Sequence, residues 1–153
     1  MIFQKVNRDD PEKIFVVVRN SYTVAMSNGQ AVIWDIVTDK NGVGVERPTA
    51  IVTNAGIAAA GIVAEAIGVS DYGLVQVYGY HSAVRVRAAT SAEVIVPGTA
   101  LALAAAGSVF CLESFDSSTA AATARPIRYP CAFSLGTYSS WSTTTIAAFI
   151  KAL

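Results

Sequence analysis

VQVYGYHSAVRVR, residues Val75 to Arg87, decides the fold of this 153-residue chain. Side chains of a β-strand alternate between two faces. In the first half of the stretch the apolar residues are odd-numbered, Val75 and Val77. In the second half they are even-numbered, Val84 and Val86. A strand whose apolar parity flips must carry an extra residue or a bend, and Gly79 is the expected place because glycine suits a bulge. Beyond the flip, His81, Arg85 and Arg87 are expected to share the face opposite Val84 and Val86. His81 is the only histidine of the chain. Ser82 follows it, but neighbours on a strand point apart, so the two do not read as a nucleophile and its base.

The surrounding sequence continues in strand language. KIFVVVRN supplies an apolar, β-branched run read as a buried strand from Ile14 to Arg19. YTVAMSNGQAVIWDIV places Asn28-Gly29 between two β-favouring runs, the signature of a tight hairpin. TDKNGVG predicts a turn at Asp39 to Gly42; its spacing does not fit a calcium loop. A turn is expected at Ser70 to Gly73, an apolar strand at Val94 to Val96, and a type II turn at Pro97-Gly98. RPIRYPCAFSL, with two prolines, suits an edge strand or an irregular crossing. DSSTAAATAR is read as a polar loop.

Two segments admit both helix and strand. Residues 50–67 are rich in alanine, which favours helix, but interrupted by glycine and β-branched residues. Ala50 to Val69 has the length of a membrane span, but Thr53, Asn54 and Glu65 interrupt it and no aromatic belt flanks it. In residues 143–153, Ile146, Phe149, Ile150 and Leu153 match a helix face, while the threonine run favours a closing strand. With strand signals on all sides, the expectation is one all-β domain spanning residues 1–153. It is a small barrel or sandwich of about eight or more short strands, with at most a short helix. Residues 1–13, MIFQKVNRDDPEK, are charged and lack the apolar core of a secretory leader; they are read as a candidate N-terminal arm.

Composition narrows the function. Hydrophobic residues make up 53% and charged residues 14%, with zero formal net charge. Such a chain tends to associate, so part of its surface is expected to be buried against other subunits. The missing basic excess argues against nucleic acid, and nothing points to membrane binding. Cys111 and Cys131 could pair or stay as two buried thiols. No CxxC or Cys/His cluster suggests a metal, and no cofactor motif is present. No G-x-S-x-G elbow is found, and the scattered carboxylates single out no pair, so no enzymatic activity is expected.

GIVAEAIGVSDYGLVQVYGYHSAVRVRAATSAEVIVPGTALAL, together with the terminal AFIKAL, resembles the head decoration, or capsid cement, proteins of tailed bacteriophages. The likeness lies in a G-[IV]-[VA] strand, a turn ending in glycine, a V-x-V-x-G strand and a G-x-x-L step after a turn. It covers roughly residues 60–105 and the last few. The resemblance implies a β-rich homo-oligomer, most often a trimer. That oligomer sits on the capsid exterior of a virion assembled in the bacterial cytoplasm, contacts the major capsid protein and stabilises the shell, with no catalysis or cofactor. Aromatic and arginine side chains are the usual anchors of such contacts, which makes Tyr78, Tyr80, Arg85, Arg87 and Trp141 interface candidates. Another phage structural role, in a tail or adaptor, is the alternative. A carbohydrate-binding module, with Trp34, Tyr72, Tyr78, Tyr80 and Trp141 stacking on sugars, is a further one.

Overall fold

The computed structural model describes residues 12–48, 59–88, 93–103, 112–114, 130–140 and 142–152. Among them are nine strands and no helix: β1 (Lys13–Asn20), β2 (Ala31–Trp34), β3 (Gly44–Glu46), β4 (Ala59–Val63), β5 (Tyr72–Arg87), β6 (Ala100–Leu103), β7 (Leu112–Ser114), β8 (Ala132–Ser134) and β9 (Thr144–Lys151). The all-β expectation holds, and both ambiguous segments contain a strand where they are described.

The pairing pattern closes twice. β1, β3, β2, β4 and β5 form one ring, because β1 also pairs with β5. β5, β7, β6, β8 and β9 form a second, because β9 also pairs with β5. β5 belongs to both. Its first half, from Tyr72 to Gly79, pairs with β1, and its second half, from Tyr78 to Val86, pairs with β9. At 16 residues it is far longer than the short strands expected from the sequence. Ring closure explains its stability: each half is paired on both sides somewhere along its length, which removes the open edges a long strand would otherwise present.

Each ring has its own core. Val18, Met26, Val32, Val45, Ala60, Val63, Ile67 and Val75 fill the first. Val84, Val86, Leu101, Leu103, Leu112, Ala132, Ala148 and Ile150 belong to the second, joined by Ala31, Ile33 and Ile62 from β2 and β4. Successive residues Ala31, Val32 and Ile33 thus serve alternate clusters, so β2 is apolar on both faces. The strand signal there is a continuous run and not an alternation.

Several local expectations change. β1 is not a buried strand: Ile14, Phe15 and Val17 are exposed, and of its valines only Val18 is fully buried. Asn28-Gly29 closes no hairpin. The turn is there, with Gln30 donating to the Ser27 carbonyl at 3.3 Å and Gly29 at a φ of 80°. However, Asn28 keeps a negative φ, and β2 pairs with β3 and β4, while Met26 bridges to Ile67. The physical reason is docking. Gly29 donates to the Val63 carbonyl at 2.9 Å and accepts from the Arg85 amide at 2.8 Å, so the turn is wedged between β4 and β5.

Val94 to Val96 is not a strand; only Ile95 pairs, with Tyr138, and it is buried while Val94 and Val96 are exposed. Pro97 follows immediately and has no amide to extend a ladder. The turn before β5 sits at Gly68 to Asp71, with Ser70 at a φ of 65°, and Gly73 is already inside the strand. The turns at Asp39–Gly42 and Pro97–Gly98 are as expected: Gly42 has a φ of 72°, Gly98 one of 89°, and Thr99 donates to the Val96 carbonyl at 3.0 Å. Cys111 and all of the polar loop after β7 lie outside the described residues. So does the N-terminal arm, except Glu12 and Lys13.

Candidate functional site

The parity flip is real, but Gly79 does not cause it. Along β9 the register runs His81 opposite Ala148, then Val84 opposite Ile146. Ser82 and Ala83 therefore share one partner position, which is a one-residue bulge. Val75, Val77 and His81 are the buried odd-numbered side chains before the bulge and Val84 and Val86 the buried even-numbered ones after it, while Gln76 and Arg87 are buried on the other face. His81 thus lies before the flip, on the buried side with Val75 and Val77. It does not share a face with Arg85 and Arg87.

A bulge leaves one backbone amide without a ladder partner. Here the Ala83 amide donates to Nδ1 of His81 at 3.2 Å. Nδ1 accepts, so its ring is the neutral tautomer protonated at Nε2. Burial holds the His81 pKa below its ordinary value, and the nearby Lys13 ammonium lowers it further; a hydrogen bond with the Val63 backbone opposes both. The imidazole is therefore a structural plug for the bulge.

Gly79 has a different task. It pairs with Lys13 on one side and Ile150 on the other, and its φ is 99°. A side chain there would run into the Glu12 carbonyl. Glycine lets β1 approach β5 closely where the two rings meet.

Beside the bulge lies a cleft of about 200 Å³ lined by Lys13, Phe15, Asn28, Gln76, His81 and Ser82. Its polar groups are largely committed. The buried Gln76 amide donates to the Tyr78 and Tyr80 carbonyls, each at 3.1 Å, and the Lys13 ammonium sits 5.9 Å from the Tyr80 ring centre. A second cleft, of about 230 Å³, lies between Arg19, Ser21, Asp35, Thr38, Asp39 and Ser70. Burial alone would raise the Asp35 pKa, but hydrogen bonds from Thr38, Asp39 and Val37 hold it below the usual value. Asp39 is likewise occupied, accepting from the Asn41 amide at 3.0 Å and the Gly44 amide at 2.6 Å. Both acids shape a loop. Among the described residues no group of three or more His, Cys, Asp or Glu could hold a metal ion.

Of the expected interface residues, Tyr78 and Tyr80 before the bulge and Arg85 and Arg87 after it lie on one face of β5, opposite to that of His81. Tyr78 is half-buried and meets Phe149 edge-on, ring centres 5.1 Å apart and planes at 83°. Tyr80 is half-buried under Lys13, Arg85 is half-buried, and Arg87 is buried. Arg85 and Arg87 therefore present no open basic stripe. Trp141 lies outside the described residues.

The exposed apolar surface lies elsewhere. Val17 pairs with Leu74 and Arg19 with Tyr72, which sets these side chains on the outer face of the first ring. Val17 is 64% exposed and Tyr72 66%. Phe15, also exposed, continues the strip toward the first cleft. The sequence hid this strip because five consecutive apolar residues, Ile14 to Val18, carry no alternation to separate the two faces.

No protein-family model matches the chain, and no curated protein matches it. Among solved structures, the head fiber gp8.5 N base of bacteriophage phi29 is similar in part, with 10% sequence identity, a TM-score of 0.47, and coverage of 92% of this chain and 96% of that one.

Proposed function

We propose that this chain is a virion structural protein of a tailed bacteriophage that self-associates on the outer face of the head and stabilises the shell. The observation that carries this reading is the outer strip of Phe15, Val17, Tyr72 and Leu74, a largely apolar face that also holds Arg19, on a doubly closed β framework. Such a patch suits docking on another protein. The sequence resemblance to head decoration proteins, which spans β4, β5 and β6, supplies the kind of partner. The chain is proposed to have no catalytic role, because its histidine and its buried acid are both spent on backbone amides.

Shallow contacts of this kind gain strength when several copies engage one seam together. A protein that binds only the assembled shell then stabilises it by mass action. The test is co-sedimentation with expanded shells that lack this protein, prepared from the phage that encodes it. Saturable binding and a raised shell disruption temperature are expected. Absence of binding under conditions where the shells remain intact overturns the reading.

A further inference from the structure

The chain contains two Asn-Gly pairs, Asn28-Gly29 and Asn41-Gly42. This dipeptide is chemically labile. The glycine amide nitrogen can attack the asparagine side-chain carbonyl carbon, because no Cβ on the glycine shields that nitrogen. Asparagine counts among the thermolabile residues for this reason. The attack asks two things of a fold. The glycine amide must be free of strong hydrogen bonds, and the peptide must be able to turn toward the side chain.

Both asparagines are exposed, so exposure does not separate them. Their glycines do. Gly29 is buried, its amide donates to the Val63 carbonyl at 2.9 Å, and its carbonyl accepts from the Arg85 amide at 2.8 Å. The Ala83 carbonyl lies where a Gly29 side chain would go. β5 and the end of β4 thus hold this peptide in place. Gly42 is exposed, and its amide donates to the Asp39 carbonyl at 3.4 Å, a long and weak contact within the turn itself. The Asp39 carboxylate accepts from the Asn41 amide at 3.0 Å and the Gly44 amide at 2.6 Å. It anchors the loop on either side of the Gly42 nitrogen and leaves that nitrogen to its weak contact.

We infer that Asn41 is a site of spontaneous deamidation, and that the docking of Gly29 protects Asn28 from the same reaction. Hydroxide takes the Gly42 N–H proton, the bond from the Gly42 nitrogen to Cγ of Asn41 forms, and the Cγ–Nδ2 bond breaks. Nδ2 leaves as ammonia with a proton returned by water. Water then opens the cyclic imide at one of its two carbonyls, giving aspartate or isoaspartate. The net change is amide plus water to carboxylic acid plus ammonia, with no oxidation or reduction. The formal net charge of the chain is zero, so each converted copy gains a net negative charge, which opposes association. Isoaspartate also lengthens the main chain between Asp39 and Gly44, the residue with which β3 begins.

The test is incubation of the full-length native protein at mildly alkaline pH, followed by peptide mapping with mass spectrometry and isoaspartyl methyltransferase labelling. Amide loss is expected at least ~10-fold faster at Asn41 than at Asn28, because the Gly29 bonds must open before Asn28 can react. In the urea-unfolded chain the two sites should react at similar rates, since the same dipeptide is then free at both. Equal rates in the folded protein, or faster loss at Asn28, overturn the inference. An Asn41 that is stable when folded and labile in urea overturns it too. A rate ratio that persists unchanged in urea refutes the protection by docking. Asn41→Gln gives a second reading, since glutamine must close a larger and slower ring. The acidic species that the native sequence accumulates on isoelectric focusing should then be lost, and their undiminished appearance refutes the assignment to Asn41. Neither readout involves shell binding, so the inference and the proposed function stand or fall separately.

Discussion

Nδ1 of His81 accepts a hydrogen bond from the Ala83 amide at 3.2 Å, and this contact closes the bulge in the half of β5 that pairs with β9. The residue most suggestive of catalysis in the sequence is used to satisfy the backbone. Replacing it with alanine leaves a partly buried amide unpaired, at a cost of about 1 kcal/mol. Urea unfolding monitored by tryptophan fluorescence should show a lower midpoint for His81→Ala; an unchanged midpoint would contradict the structural role.

The same residue gives a pH dependence. Its folded pKa is depressed, first by burial and then by Lys13. The unfolded chain therefore binds the proton more readily, near its ordinary pKa of about 6.5. The contribution of His81 to stability is complete above that value and declines as pH falls below it. Urea midpoints at pH 8 and pH 5 should differ more for the native sequence than for His81→Gln.

Gly79→Ala should be among the more damaging small changes. It places a side chain at a φ of 99° and against the Glu12 carbonyl. A cost of about 2–4 kcal/mol is expected from backbone strain plus the displaced contact. Thermal unfolding measures it. A loss equal to that of an ordinary glycine-to-alanine change on an exposed turn would sink the close-approach argument.

Gln76 is a buried amide holding the Tyr78 and Tyr80 carbonyls just before the bulge. Gln76→Leu keeps much of the volume but abandons both carbonyls, costing about 1–3 kcal/mol. Amide hydrogen exchange should accelerate in β5 and in the facing part of β9. Uniform protection in both proteins would show that the amide contributes little.

Cys131 is a buried, free thiol whose burial pushes its pKa up to about 12. Near neutral pH almost none is thiolate, the reactive form. Ellman's reagent should label it only at the rate of unfolding. Prompt labelling of Cys131 in the native protein, located by peptide mapping, would contradict its burial.

The sequence was most informative where strand periodicity was clean. Val75 and Val77 set against Val84 and Val86 disclose a parity flip in the sequence itself, and the turns at Asp39–Gly42 and Pro97–Gly98 follow from residue chemistry alone. It was least informative where apolar residues run together. Phe15 to Val18 read as a buried strand, yet half of that run faces outward. The bulge also brings Tyr78, Tyr80, Arg85 and Arg87 onto one face of β5, which residue type alone does not reveal.

What the sequence by itself determined is the all-β class, the glycine turns and the existence of an irregularity in β5, because each depends on the local conformations a few neighbouring residues allow. What only the tertiary structure decided is where that irregularity sits and what it does. A bulge is fixed by the count of residues on the partner strand, and β9 lies some sixty residues further along the chain. The same holds for Asn28-Gly29, whose turn is local but whose docking against Val63 and Arg85 is not.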